Sequence, residues 1–311
     1  MSYHNPVLLQ DSVDALVVNP SGVYVDATFG GGGHSRAILG RLNPDGRLIA
    51  FDQDADSRQN LIEDDRFQFV PSNFKNLTRF LQYYKAYPVD GILADLGVSS
   101  HQIDTPGRGF SYTKDGLLDM RMNSQNGMSA KDVVNEYDEA DLSRIFYNYG
   151  ELSSGRQLAR QIVKARTVSP LETTLQLAEA LKPCLPKGKE NKCLSRIFQA
   201  IRIEVNKEME VLESFLLQTP DALKTGGRLV VIAYHSLEDR AVKNFMRAGN
   251  MAGIVEKDFF GNPLAPFKVV NRKVITASED EISTNVRARS AKLRIAEKIT
   301  VTPHEIDFSK Q

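Results

Sequence analysis

Residue types able to do chemistry gather in four short stretches, each at the end of an apolar run: VDATFGGGGHS (25–35), FDQD (51–54), DLGVSS (95–100) and YHSLED (234–239). The first is the most telling. Four consecutive glycines, Gly30 to Gly33, let the backbone turn sharply and approach a ligand closely. A helix opening near His34 turns its free N–H groups and positive dipole end on whatever the loop holds. This is the pattern of a cofactor loop. A phosphate-binding loop closes with Gly-Lys-Ser/Thr, whereas Gly33 is followed by His34 and Ser35. A dinucleotide loop counted from Gly30 needs a third Gly or Ala at position 35, where Ser35 stands.

An acid inside the strand, Asp26, with Gly30 and Gly32 four and six residues later, better fits the loop of S-adenosylmethionine (SAM) methyltransferases. There the carboxylate orders the loop and receives the methionine ammonium directly or through water. Asp52 falls 20 residues beyond Gly32, the distance at which an acid accepts hydrogen bonds from ribose hydroxyls in either cofactor class. Glycine turns and strand-end acids also occur as pure architecture, so the loop alone favours SAM over NAD without deciding the matter. Asp95, His235 and Ser236 stand at the exits of two further strands, where cofactor and substrate would meet.

The elements that must position these groups follow from periodicity. GVYVDATF (22–29), RLIAFDQD (47–54), FQFVPS (67–72) and VDGILADL (89–96) read as buried strands, with helices expected at His34–Arg41, Ser57–Glu63 and Asn73–Tyr84. Strict alternation implies right-handed crossovers and a parallel sheet. The rhythm then stops. Helical segments are expected at Glu139–Tyr149, Arg156–Thr167, Thr173–Leu181 and Ser195–Leu217, before a strand returns at RLVVIAYH (228–235) and the tail offers FKVV and RSAKLRIAEKI. The economical reading is an α/β, Rossmann-like, doubly wound core formed by residues 1–104 and 218–311, interrupted by an inserted helical domain over 105–217.

With 311 residues, 41% of them apolar, the chain can bury a sizeable core. Its 39 basic residues balance 39 acidic ones, which excludes a uniformly basic nucleic-acid binder but not one with segregated charge. Residues 156–166 hold Arg156, Arg160, Lys164 and Arg166 with no acid, the first three at helical i, i+4, i+8 spacing. Residues 182–207 add seven basic residues, Lys189 and Lys192 among them, against Glu190 and Glu204, and 287–298 add five against Glu297. Acid gathers instead at Asp132, Glu136, Asp138, Glu139 and Asp141. Two cysteines, Cys184 and Cys193, make no disulfide framework, and no Cys/His spacing fits a metal site. No stretch has the length and apolarity of a membrane span, so a cytoplasmic, membrane-free protein is expected.

DATFGGGGHS, FDQD, ADLGVSSHQID, RGFSY with DGLLDMRM, FQAIRIEVNKEME, YHSLEDR and RSAKLR together resemble the bacterial 16S ribosomal RNA N4-cytosine methyltransferases, the RsmH/MraW family. These motifs run in order over nearly the whole chain. The resemblance implies a class I SAM-dependent methyltransferase core, 16S rRNA of the small ribosomal subunit as partner, and methylation of the exocyclic N4 of a cytosine in the decoding centre. It leaves a homodimer open. It implies SAM contacts from Gly32, Gly33, His34, Asp52, Phe74, Asp95 and Gln102. In YHSLED a tyrosine stands where phenylalanine is commoner. The cytosine amino group is a poor nucleophile, so acceptors on its N–H groups and a proton acceptor are needed. Asp95 is the first candidate, unless it binds cofactor, and His235 and Ser236 come next. Phe110 and Tyr112 can cover a splayed base or pack within the protein. Methylation at carbon 5 would need a thiolate, for which only Cys184 is suggestive. A NAD-dependent oxidoreductase and a nonenzymatic assembly factor are the remaining alternatives.

Overall fold

The computed structural model describes residues 6–300. The chain divides into two compact units, one formed by residues up to Gly97 and from Val211 onward, the other by Val98–Glu210.

The first unit opens with α1 (Leu9–Leu16), then alternates β1 (Val23–Asp26), α2 (Gly33–Leu39), β2 (Arg47–Phe51), β3 (Phe67–Val70), α3 (Leu77–Tyr83) and β4 (Val89–Asp95). The helix expected over Ser57–Glu63 is a 3₁₀ segment, Ala55–Asn60, because Asp54 caps it by accepting from the Asp56 N–H and holds the chain in a tight turn. The one expected over Asn73–Tyr84 begins as a 3₁₀ turn capped by Asn73 before α3 starts.

The second unit contains α4 (Ser100–Asp104), α5 (Ala130–Glu136), α6 (Glu139–Asn148), α7 (Gly155–Arg166), α8 (Thr174–Leu181) and α9 (Glu190–Asn206). Its helices close around Phe146, Ile162, Leu177 and Ile197, all fully buried. The single helix expected over Ser195–Leu217 is two, α9 and α10 (Glu208–Ala222), separated at Lys207, whose φ of 53° is left-handed. Long-range partners fix that break. Asn206 donates to the Met120 carbonyl and accepts from the Met122 N–H, while Arg202 grips Glu208 through two charged hydrogen bonds. Four of the five acids at 132–141 serve helix starts: Asp132 completes the capping box of α5, Asp138 caps α6, and Glu139 and Asp141 occupy the first turn of α6, where the dipole favours them.

After α10 the first unit resumes with β5 (Leu223–Ala233), α11 (Ser236–Ala248), β6 (Phe267–Val269), α12 (Glu279–Thr284) and β7 (Lys292–Lys298). β5 begins five residues before the expected Arg228, its start paired with Val89 across a register shift at the Gly226-Gly227 turn. The sheet runs β3-β2-β1-β4-β5-β7-β6, parallel from β3 to β5, with β7 antiparallel to both its neighbours. This is the order typical of class I SAM-dependent methyltransferases. The central strands are buried along almost their whole length, which is why they read as continuous apolar runs. The chain reverses its direction of winding between β1 and β4. A doubly wound sheet therefore opens its crevice beyond the carboxyl ends of these two strands.

Candidate active site

Asp26 is the last residue of β1, paired with Ala50 on one side and Leu93 on the other. Two residues beyond each of those partners stand Asp52 and Asp95. Three carboxylates thus meet at the exits of three adjacent strands.

Each is held differently. Asp26 is 1% exposed, with Oδ2 accepting from Ser35 Oγ at 2.7 Å and Oδ1 from the Thr28 N–H at 3.1 Å. Burial pushes its pKa up, opposed chiefly by the His34 imidazole. The geometry suits it to ordering the loop. Asp52 accepts the Gly30 N–H at 2.7 Å on Oδ2 and the Asp54 N–H at 2.8 Å on Oδ1. Burial raises it to about 6 against those two hydrogen bonds, with Asp54 and Asp26 adding repulsion. Asp95 accepts from the Tyr234 phenol at 2.8 Å on Oδ1, and its other oxygen lies 3.7 Å from His34 Nδ1. It too is raised to about 6, first by burial and then by Asp26 and Glu238, with His34 and Tyr234 pulling the other way. Unlike Asp26 it keeps 23% of its side chain open.

The glycine loop is built for this place. Gly30 and Gly32 have φ of 50° and 73°, the left-handed region. A Cβ on Gly32 would come within 2.6 Å of the Arg36 guanidinium and 3.0 Å of the Phe29 ring, and one on Gly33 would run into the Pro6 ring. Loop carbonyls are occupied from behind: Asn60 donates to Gly30 and Arg36 to Gly31. Phe29 docks on Phe67 and Phe69, both at 5.4 Å. His34 is buried and donates through Nε2 to the Val7 carbonyl at 3.1 Å, an acceptor that fixes where the ring proton sits. Phe74 stands in the turn after β3, edge-on to Phe215 at 5.1 Å.

The exit of β5 forms a helix start. His235 is the N-cap of α11. Its Nδ1 accepts from the Glu238 N–H, its Nε2 lies 3.1 Å from Glu238 Oε1, and the other Glu238 oxygen accepts from the Tyr234 and His235 N–H groups. Nδ1 is engaged in the capping box of a helix start, while the buried Nε2 makes no hydrogen bond to any described residue. Ser236 is the exposed first residue of the same helix. Asp239 binds Lys292 at 3.0 Å and Arg294 at 2.7 Å, which explains YHSLEDR and RSAKLR as two halves of one contact and removes two bases from the tail's basic block.

In the second unit, Gln102 is 5% exposed and forms a capping box with Ser99 at the start of α4. Phe110 and Tyr112 are half-buried against the helical core, Tyr112 edge-on to Phe198 at 5.6 Å and Phe110 beneath the Arg108 guanidinium. Arg156, Arg160 and Lys164 project from successive turns of α7, all exposed, Arg160 being 3.7 Å from Glu139. Lys189 and Lys192 are exposed at the start of α9. Cys184 packs against the helical core, and burial raises the Cys193 thiol, which disfavours the thiolate. No helix of the described residues is long and apolar enough to cross a membrane.

Two residues of the carboxylate cluster are not singled out by sequence pattern. Thr28 accepts the Asp95 N–H through Oγ1 at 2.8 Å, stitching the β1 exit to the β4 exit, and Tyr234 reaches Asp95 across 139 positions of sequence. Thr28 is visible only as the polar residue in VDATF, and Tyr234 only as the hydroxyl of YHSLED.

A family model described as the MraW methylase family matches residues 1–299. The chain is 58% identical over 297 residues to the ribosomal RNA small subunit methyltransferase H of Bacteroides fragilis, covering 96% of this chain and 98% of that protein. It is 57% identical over 299 residues to the protein of the same name from Christiangramia forsetii, covering 96% and 99%.

A carboxyl whose folded pKa is raised favours folding while protonated, and that contribution disappears as pH rises through the folded value. For Asp95 the window runs from its ordinary 3.8 to about 6. Asp95→Asn keeps an acceptor for Tyr234 but carries no charge. The SAM-free variant should therefore resist denaturant better than the native chain at pH 8, with the gap narrowing from pH 6 towards 4. Equal unfolding midpoints at pH 8 would show that the carboxylate is not under this strain.

Proposed function

The chain belongs to the MraW methylase family, and from that premise we propose that it transfers a methyl group from SAM to the exocyclic N4 of a cytosine in small-subunit ribosomal RNA, position 1402 of the decoding centre. The observation that carries the cofactor reading is the floor of three carboxylates beneath a glycine loop. SAM is cationic at its sulfonium and ammonium, and such a floor attracts it. The same floor would repel the pyrophosphate of a dinucleotide, which disfavours the oxidoreductase alternative.

The residues present fit the cofactor. Asp26 holds the loop through Ser35 and Thr28, Asp52 offers its remaining lone pairs to ribose hydroxyls, and Phe74 offers a ring face to adenine. Gly32, Gly33 and His34 line the approach, with Gln102 assigned to the same cofactor by family resemblance. SAM supplies an activated methyl group for in-line displacement, so the protein's task is alignment and proton handling. Asp95 is assigned the hydrogen-bond acceptor for the target amino group. Accepting an N–H from that amine localises its lone pair, and a carboxylate with a pKa of about 6 can take the proton released when the nitrogen becomes cationic. His235 and Ser236 are assigned to positioning the start of α11. Methylation at carbon 5 is disfavoured, since Cys184 packs against the helical core and burial raises the Cys193 thiol, against the thiolate that reaction needs.

The insertion, expected over 105–217, is assigned to RNA recognition in the cytoplasm. Arg156, Arg160, Lys164, Lys189 and Lys192 are among its exposed cations, and Phe110 and Tyr112 are only partly buried against its core.

Incubation with labelled SAM and small subunits lacking the modification, followed by nucleoside analysis, should yield N4-methylcytidine. 5-Methylcytidine, a ribose methyl or no transfer would overturn the assignment. Neutralising the five cations should weaken subunit binding and lower the log–log salt slope by about one for each phosphate left without its cation. An unchanged slope would exclude this face as the RNA platform.

A further inference from the structure

Tyr234 follows the end of β5, two residues past Ile232, the register partner of Asp95. A ring alone would fill the space, and a buried hydroxyl costs desolvation unless it finds a partner. Here it donates to Asp95 Oδ1 at 2.8 Å. The Asp95 backbone is fixed separately, by its N–H on Thr28 Oγ1. The phenol therefore acts on the carboxylate and is not needed to hold the strand end.

The other oxygen is treated differently. His34 Nδ1 lies 3.7 Å from Oδ2, beyond hydrogen-bond distance. His34 is anchored instead through Nε2 on the Val7 carbonyl, which holds Nδ1 at that distance and short of a hydrogen bond to Oδ2. Oδ1 is thus occupied by a donor, while Oδ2 faces a group that gives it none. With 23% of the side chain open, the carboxylate can still be reached.

We propose that Tyr234 is a positioning residue for methyl transfer, its phenol pinning Asp95 Oδ1 so that Oδ2 is the oxygen presented to the incoming amino group. This rests on the reading of Asp95 as the amine's acceptor. It also has an electrostatic consequence. Asp95 is faced by His34 from α2, Tyr234 from the β5 exit, Asp26 from β1 and Glu238 from α11. The two acids push its pKa up, and the imidazole and phenol hold it down. Tyr234 is itself driven well above the ordinary phenol range, by burial first and then by Asp95, Glu238 and Glu281, so it remains a neutral donor at any working pH. Losing the phenol leaves Asp95 easier to protonate, and activity that needs the carboxylate then fails at a higher pH.

The test is Tyr234→Phe, which removes one hydroxyl and keeps the ring. Single-turnover transfer is followed from pH 5 to 9 at saturating SAM and subunit. In parallel, the Asp95 carboxyl of the SAM-free chain is titrated by carbon-13 NMR, its resonance identified by its absence from Asp95→Asn. The midpoint of the acid limb and that of the resonance should both rise by about one pH unit, the effect expected of removing one hydrogen bond to a charged group. The rate should approach that of the native chain at pH 9. Fluorotyrosine at position 234, a stronger donor, should move both midpoints down. A uniformly lower rate with unmoved midpoints would make Tyr234 a packing residue and overturn the proposal. A resonance that moves in Tyr234→Phe while the native chain transfers no methyl group would instead overturn the functional reading on which the proposal rests.

Discussion

Three carboxylates drawn from water at adjacent strand exits repel one another, and much of the unit around them is arranged to contain that repulsion. Asp26 is tied down completely by Ser35 and Thr28, Asp52 by two backbone N–H groups, and Asp95 by a phenol with an imidazole nearby. None of these partners is a lysine or arginine. Had one been placed there, the carboxylates would have been satisfied and the site closed to a cationic ligand. Neutral donors keep them ordered while leaving their charge to be met by whatever binds. The cost falls on the empty protein, where burial lifts Asp52 and Asp95 to about 6.

The sheet makes this arrangement possible. Parallel pairing of β2, β1 and β4 brings residues 52, 26 and 95 together, and the change of winding direction between β1 and β4 keeps crossover helices off that edge. Thr28 then couples the two strands on either side of the opening through a single side-chain oxygen. A net charge of zero is compatible with an RNA substrate because the acids have local employment. Several of those in the insertion start helices, those of the crevice are held by loop and strand-exit donors, and Asp239 holds β7, leaving exposed cations on α7 and at the start of α9.

Much of this was legible in the residues. Buried parallel strands announce themselves as continuous apolar runs, and VDATFGGGGHS carries a loop whose glycines are required by left-handed φ at Gly30 and Gly32. Contacts between distant residues were not legible. The break at Lys207 depends on Asn206 meeting Met120 and Met122, and helical periodicity runs straight through it. The cap that His235 forms was not legible either. Its spacing to Glu238 is that of a capping box, in which histidine takes the place usually held by serine or threonine. Tyr234 and Asp95 meet only once β4 and β5 pair.

Asp95 has to act in the transfer itself and not merely in holding the cofactor if the carboxylate cluster works in this way. The most direct measurement is the single-turnover rate of Asp95→Asn at saturating SAM and subunit, with the affinities of both determined separately. Loss of an acceptor that takes up the amine's proton predicts a fall of about 10²-fold or more in that rate, with subunit affinity retained. A variant that transfers the methyl group at the native rate once saturated would contradict it.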